Sequence, residues 1–92
     1  DVLINREQMA AMLYRSVETL RPDADMSVTG APVFVDEKDI APYFMTNVKF
    51  VAKHGFLDEV GDNAFAPKAF STREQAVVAA VRIFDAYAEP MK

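Results

Sequence analysis

Two arginines stand at equivalent points of the chain, each directly after a residue type that caps helices well. Arg6 and Arg73 both fall in what would be the first turn of a helix. A cation there opposes the helix dipole and forgoes about 0.3–1 kcal/mol relative to an anion. Because the chain makes this choice twice, the pattern indicates an anion site, in which backbone N–H groups and a guanidinium converge on one carboxylate. The alternative is that each arginine pairs with its neighbouring glutamate or with an acid such as Asp36 or Asp39.

The surroundings of the two arginines form an internal repeat. Residues 4–8, with the sequence INREQ, return as STREQ at residues 71–75, a spacing of 67 residues. Both copies have an N-cap residue, Asn5 or Thr72, and a glutamine three residues later, where the second partner of a capping box belongs. An internal repeat of this length is typical of architectures that stack similar units. The repeat therefore predicts two equivalent helices.

The predicted fold class is all-α, with helix-loop-helix repeats and long irregular loops. The first helix runs from about Arg6 to Leu20, where the apolar residues follow the spacing of one helical face. A middle helix begins near Pro42 and ends at Gly55, which supplies a left-handed stop. The last helix covers about 73–88. We expect its main buried stripe to consist of Val77, Ala80, Val81, Phe84 and Ala88. Further apolar residues widen this stripe, so we expect the helix to be buried on more than one side; they are Ala76, Ala79, Ile83 and Tyr87.

Two stretches between the predicted helices lack a regular apolar period. Residues 21–41 are rich in turn formers and are interpreted as a linker followed by the start of a new unit. Residues 56–71 contain Gly61-Asp62-Asn63, a strong turn pattern. We expect Phe65 and Phe70 to pin this second loop to the helices.

Composition and residue types exclude several functions. The net charge of −4 argues against a nucleic-acid binder, and no apolar run approaches the ~20 residues that span a bilayer. The absence of cysteine excludes disulfides, thiolate metal sites and a cysteine nucleophile. His54, the single histidine, has no evident nucleophile partner, and the loop acids do not follow the ligand spacing of a calcium-binding EF-hand. We therefore expect no enzyme, no cofactor and no metal site.

An ordered series of five motifs resembles one S-layer homology repeat. The motifs are Phe34-x-Asp36, Ala41-Pro42-Tyr43, Gly55-Phe56-Leu57, Asp62-Asn63-Ala64-Phe65-x-Pro67 and Thr72-Arg73-Glu74-Gln75. The N-terminal helix is similar to the closing helix of a preceding repeat, so the chain resembles about one and a half repeats. The expected division is 1–20 for that closing helix, 21–33 for a linker and 34–92 for one full repeat.

The resemblance implies a function at the surface of bacterial cells. Members of the family attach extracellular proteins non-covalently to the cell wall by binding an anionic, pyruvylated secondary cell-wall polysaccharide in grooves between packed repeats. The arginine of the family's Thr-Arg-Ala-Glu motif, a main glycan contact, matches Arg6 and Arg73. The family's aromatic residue, usually tryptophan, matches Tyr43, whose alternative role is that of an ordinary packed aromatic. The resemblance thus implies Arg6, Arg73 and Tyr43 as glycan-binding residues.

Departures from the family motif leave a second function open. Gln8 and Gln75 replace the motif's glutamate, and Glu59 replaces a loop glycine, which adds a negative charge where an anionic glycan would approach. The alternative function is a structural or assembly module that has lost glycan binding.

The resemblance also implies partners and a location. The expected partners are the polysaccharide and either neighbouring repeats of a longer parent chain or a second copy of this chain. Self-association is expected because the first helix lacks the opening portion of its own repeat, which leaves apolar surface uncovered. No nucleic acid and no membrane insertion are expected, and the location is extracellular, at the cell wall.

Overall fold

A computed structural model describes residues 4–87 of the chain. It contains three helices, α1 (Arg6–Leu20), α2 (Met45–Lys53) and α3 (Arg73–Tyr87). Two short 3-10 turns, Glu37–Asp39 and Pro42–Phe44, precede α2. Within the described residues there is no strand, only two isolated β-bridges. The predicted all-α class, with long irregular connections, is confirmed.

Both repeated helix starts are closed by the predicted capping boxes. The Asn5 side chain accepts from the N–H of Gln8 at 2.9 Å, and the Gln8 side chain accepts from the N–H of Asn5 at 2.9 Å. The equivalent bonds between Thr72 and Gln75 measure 3.0 and 3.1 Å. An N-cap of this kind stabilises a helix by about 1 kcal/mol. The local sequence is therefore sufficient to place the first residue of both helices.

The middle helix differs from its prediction at one end. Its C-terminal end is as predicted, because Gly55 takes the left-handed conformation with φ of 73°. Its N-terminal end is not, because Pro42–Phe44 forms a 3-10 turn and the α-helix begins at Met45. The N–H of Phe44 bonds to the carbonyl of Ala41 at 2.8 Å, the three-residue spacing of a 3-10 helix.

The core lies between α1, α2 and the loop that follows α2. The largest side chains with essentially no exposure are Val17, Val48, Phe50, Val51 and Phe65. Phe65 therefore pins the loop as predicted, whereas Phe70 is 65% exposed and the expectation for it is wrong. At Phe70 the chain is held instead through its backbone, by a bridge to Asn5 and by a bond from the N–H of Ser71 to the carbonyl of Ile4 at 2.8 Å.

Helix α3 buries a different face from the one predicted. Its buried residues are Ala79 and Ile83, whereas Val77, Val81 and Phe84 are 57%, 52% and 63% exposed. The predicted main stripe is therefore wrong, and its last member, Ala88, lies outside the described residues. The two buried residues belong to the set that was expected only to widen that stripe. The error arises because α3 is apolar on almost all sides, so periodicity alone does not indicate which side meets the core.

Candidate functional site

Arg6 lies at the start of α1 with only 3% of its surface exposed. Its Nε donates to the carbonyl of Phe65 at 2.8 Å, and its Nη2 donates to the carbonyl of Asp58 at 2.5 Å. The guanidinium carbon also lies 4.7 Å from the centre of the Phe65 ring. Burial lowers the pKa of Arg6, while the charges of Asp58 and Asp36 act to raise it. Arginine stays protonated in such surroundings, so this end of α1 holds an enclosed positive charge.

Asp36 fixes the part of the loop that faces Arg6. Its two carboxylate oxygens accept from the N–H groups of Phe65 at 3.0 Å and Ala66 at 2.8 Å. Burial acts to raise the pKa of Asp36, but these backbone bonds and the charge of Arg6 leave that pKa lowered. Asp36 was one predicted partner of Arg6, and it acts on that arginine through its charge and through the loop it holds.

Glu7 is a further site residue that sequence reasoning missed. It is 2% exposed, accepts from the N–H of Ala41 at 3.0 Å and forms an ion pair with Lys68 at 2.5 Å. The pairing of Arg6 with its neighbouring glutamate is therefore not observed, because Glu7 points to the following loop. An acid in the first turn of a helix is common, and Lys68 lies 61 residues away, so no local pattern would have found this pair.

The backbone N–H groups at the start of α1 have protein acceptors, contrary to expectation. The N–H of Arg6 bonds to the carbonyl of Ala69 at 2.8 Å, and that of Glu7 bonds to the carbonyl of Pro67 at 3.0 Å. The next N–H, that of Gln8, belongs to the capping box. At this helix start, therefore, side chains rather than backbone groups are available to a ligand.

A cavity of about 440 Å³ lies beside Arg6. It is formed by residues 56–60 and by one side of α3, where Glu74, Gln75, Val78 and Arg82 line it. Arg82 donates to the carbonyl of Gly55 at 3.0 Å and pairs with Asp58 at 3.2 Å. The observed acidic partner of Arg82 is thus a loop residue, although Asp85 lies three residues later on the same helix.

The structure does not bring the three predicted site residues together in one pocket. Arg73 is exposed at the start of α3 and lines an adjoining pocket with Glu74, Val77 and Val78. Glu74 and Val78 also line the cavity at Arg6. Tyr43 lines neither pocket. It is 71% exposed, and its hydroxyl accepts from Nη2 of Arg15 at 3.1 Å.

The described residues offer no arrangement for metal chemistry. Between residues 4 and 87, no three His, Asp or Glu side chains are grouped so that they could hold a metal ion. His54 stacks on Phe56, with ring centres 5.6 Å apart, and its pKa is lowered by partial burial and by the charge of Lys53. None of the helices between residues 4 and 87 is both long and apolar enough to cross a membrane.

Two features define this chain as a helical repeat module. They are the duplicated capping boxes and the enclosed arginine at the point where one helix meets the next helix-loop unit. The family model of the S-layer homology domain matches residues 33–77, and this part of the chain belongs to that family. S-layer homology domains are binding and anchoring domains rather than catalysts, which supports anchoring at the bacterial cell wall in general.

Two larger proteins contain a similar segment. The chain is 36% identical over 73 residues to an amylopullulanase of Thermoanaerobacterium thermosulfurigenes. It is 34% identical over 73 residues to exoglucanase XynX of Acetivibrio thermocellus. Each match covers 79% of this chain but only 4% and 7% of these relatives, so the enzyme names describe much larger proteins. No solved structure matches the chain.

Proposed function

We propose that this chain anchors an extracellular protein to the cell wall by non-covalent binding of an anionic, pyruvylated secondary cell-wall polysaccharide. Membership of the family supports the general role. The structural observation that carries the finer proposal is the Arg6 guanidinium, which lines a cavity of about 440 Å³ where α1 meets the following repeat. A pyruvate ketal bears a carboxylate, and guanidinium groups bind carboxylates through paired N–H donors.

Arg6 is 3% exposed, so a ligand would reach it only from the cavity that it lines. Two of the five N–H donors of its guanidinium bond to the carbonyls of Phe65 and Asp58, and the proposal assigns the remaining donors to the carboxylate of the ligand. Fixing the side chain in this way lowers the entropy that is lost when a ligand binds. In the same proposal Arg73 contacts the glycan at the exposed start of α3, and Tyr43 presents its ring face to a sugar.

The charges around the cavity limit how densely charged its ligand can be. Two cations line it, but one of them, Arg82, is paired with Asp58, and Glu59 and Glu74 add further negative charge. A densely charged polyanion would be repelled by these acids. A glycan with one carboxylate per repeating unit fits better, because the attraction then comes from a short-range contact with Arg6.

A second candidate function is a structural or assembly module without glycan binding. It is favoured by the bonds of Arg6 to two carbonyls of the following repeat, which give this side chain a role in joining the units. In that case the partners would be neighbouring repeats of a longer chain or a second copy of this one. The exposed apolar side of α3, with Val77, Val78 and Val81, is the surface that such a partner would cover.

Binding to purified wall polymer distinguishes the two functions. The wild-type chain and the variants Arg73→Ala and Tyr43→Ala would be titrated with pyruvylated polymer and with polymer from which the ketals have been removed by mild acid. Anchoring through the ketal predicts selective binding of the pyruvylated polymer, with a loss of roughly tenfold or more for at least one variant. Arg6→Ala would be included at a temperature at which circular dichroism shows that it is folded.

Lys38→Ala is the matched control, because Lys38 is exposed and its loss changes the net charge equally. Failure of the wild-type chain to bind, or equal binding of both polymers, would favour the structural module.

A further inference from the structure

Arg15 and Tyr43 form a polar pair on the exposed side of α1. Nη2 of Arg15 donates to the Tyr43 hydroxyl at 3.1 Å, and both residues are exposed. The Tyr43 and Phe44 rings are nearly perpendicular, with centres 5.0 Å apart, and this contact helps to hold the Tyr43 ring in place. Tyr43 is 71% exposed, the highest value among the aromatic residues between 4 and 87. The pair therefore presents a positioned aromatic ring with a guanidinium at its rim.

The charge of Arg15 is not compensated within the described part of the chain. Arg21 pairs with Asp23 and Arg82 pairs with Asp58. Arg15 has a neutral phenol as its partner and forms no ion pair with any carboxylate of residues 4–87, although Glu18 is one helical turn away. In a chain with 14 acids and 10 basic residues, an exposed arginine without an acidic partner creates a local positive potential.

An aromatic ring beside a guanidinium can bind an acidic sugar. An aromatic ring contacts the C–H face of a pyranose, and an arginine fork binds a carboxylate through two parallel N–H bonds. One N–H of Arg15 is used by Tyr43, and the fork otherwise faces solvent. We infer that Arg15 is a glycan-binding residue, and that with Tyr43 it recognises a carboxylate-bearing sugar on the exposed side of α1. The inference rests on the proposed function and adds a residue that the family motif does not supply.

The surface next to Arg15 has room for further sugar units of the polysaccharide. Arg15 also lines a groove of about 650 Å³ between α1 and α3, and Ser16 and Thr19 place hydroxyl groups on the α1 side of it. The Ser16 hydroxyl donates to the carbonyl of Met12 at 3.0 Å, so toward a ligand it acts as an acceptor, whereas the Thr19 hydroxyl can donate and accept. Both roles suit the hydroxyl groups of a saccharide. The site at Arg15 is separate from the cavity at Arg6, because neither Arg15 nor Tyr43 lines that cavity.

The test measures binding of the full chain to two polymers, pyruvylated wall polysaccharide and the same material without its ketals. Arg15→Ala is expected to weaken binding to the first by roughly tenfold and to leave binding to the second unchanged. Arg15→Lys should recover only part of the loss, because an ammonium lacks the planar fork. Tyr43→Phe keeps the ring and removes the acceptor for Arg15, so it should lose less than Tyr43→Ala.

Three outcomes would overturn the inference, and they separate it from the proposed function. If the wild-type chain selects the pyruvylated polymer and Arg15→Ala binds it equally well, Arg15 has no role while the anchoring proposal stands. If Arg15→Ala loses binding to both polymers equally, or if Lys38→Ala causes the same loss, recognition of the carboxylate by Arg15 is disproved. If the wild-type chain binds neither polymer, the proposed function fails and the inference fails with it.

Discussion

Helices α1 and α3 have the same opening motif, the same length and the same capping boxes, yet they bury opposite faces. Val17 of α1 has no exposed surface, whereas Phe84, 67 positions later, is 63% exposed. The reverse holds for Met12 and Ala79, which are equivalent at the same spacing and are 54% and 0% exposed. Each of the two helices therefore exposes the face that is buried in the other.

The first-turn residues differ in the same way. Arg6 and Glu7 are enclosed by the loop that follows α2, whereas Arg73 and Glu74 are exposed. The difference arises because α1 packs on residues that come after it in the chain, and α3 packs on residues that come before it. In this chain the same motif therefore opens one helix whose arginine is enclosed and one whose arginine is exposed, and the neighbouring segments decide which.

The largest difference is expected between Arg6→Ala and Arg73→Ala. The first change leaves the buried carbonyl of Phe65 and the partly buried carbonyl of Asp58 without their donor, which should lower the free energy of unfolding by about 3 kcal/mol. The second should have a much smaller effect, because Arg73 is exposed. Thermal unfolding followed by circular dichroism would show a drop of roughly 10 °C or more for Arg6→Ala. Equal drops for the two variants would contradict the comparison.

A similar contrast is expected between the equivalent residues Val17 and Phe84. Val17→Ala removes fully buried methyl groups and should cost about 2 kcal/mol of unfolding free energy. Phe84→Ala removes a larger side chain, but one that is mostly exposed, so the expected change is below about 0.5 kcal/mol. Urea unfolding at low protein concentration measures both values. A larger loss for Phe84→Ala would show that α3 is packed in solution on the face that the structure leaves open.

Lowering the pH should weaken the packing of the loop residues that enclose the start of α1 before it affects α3. The folded-state pKa of Asp36 is lowered by bonds from Phe65 and Ala66 that outweigh its burial, and that of Glu37 is lowered by its bond to Lys49. A lowered pKa stabilises the fold above the unfolded-state values of about 4. This stabilisation is lost as the pH falls through the folded-state pKa.

Hydrogen exchange should therefore show early loss of protection at the start of α1 when the pH is lowered from about 5 to 3. Asp36→Asn should remove part of this pH dependence, while Asp39→Asn, at an exposed position, serves as the control. Uniform loss of protection across α1 and α3 would argue against the role of Asp36.

The smallest effect on stability is expected on the open side of α3. The double change Val77→Ser and Val81→Ser should leave the unfolding midpoint almost unchanged, because both side chains are more than half exposed. If this side binds a second copy of the chain, the double variant should weaken self-association by tenfold or more in sedimentation experiments. Met12→Ser, at the exposed side of α1, is the matched comparison. A wild-type chain that stays monomeric at high concentration would exclude the second copy as the partner.

Some parts of the candidate site were open to prediction and others were not. The two arginines were found from the repeat, because a cation beside an N-cap is unusual in a local window. The pairs of Glu7 with Lys68 and of Arg15 with Tyr43 were not found, because their partners lie 61 and 28 residues apart in the chain. Arg15 and Arg82 each have an acid three residues later on the same helix, but their observed partners are Tyr43 and Asp58, which lie further away in the chain.

The sequence by itself determined what depends on neighbouring residues. It placed the starts of α1 and α3 through their capping boxes, the end of α2 through Gly55, the turn at residues 61–63 and the family of the repeat. Tertiary structure alone decided which side of α3 is buried and that Arg6 is enclosed while Arg73 is exposed. The physical reason is that a cap is a bond within a few residues. Burial, in contrast, is set by whichever distant segment packs against a helix, and the two helices of this chain that share an opening motif have different neighbours.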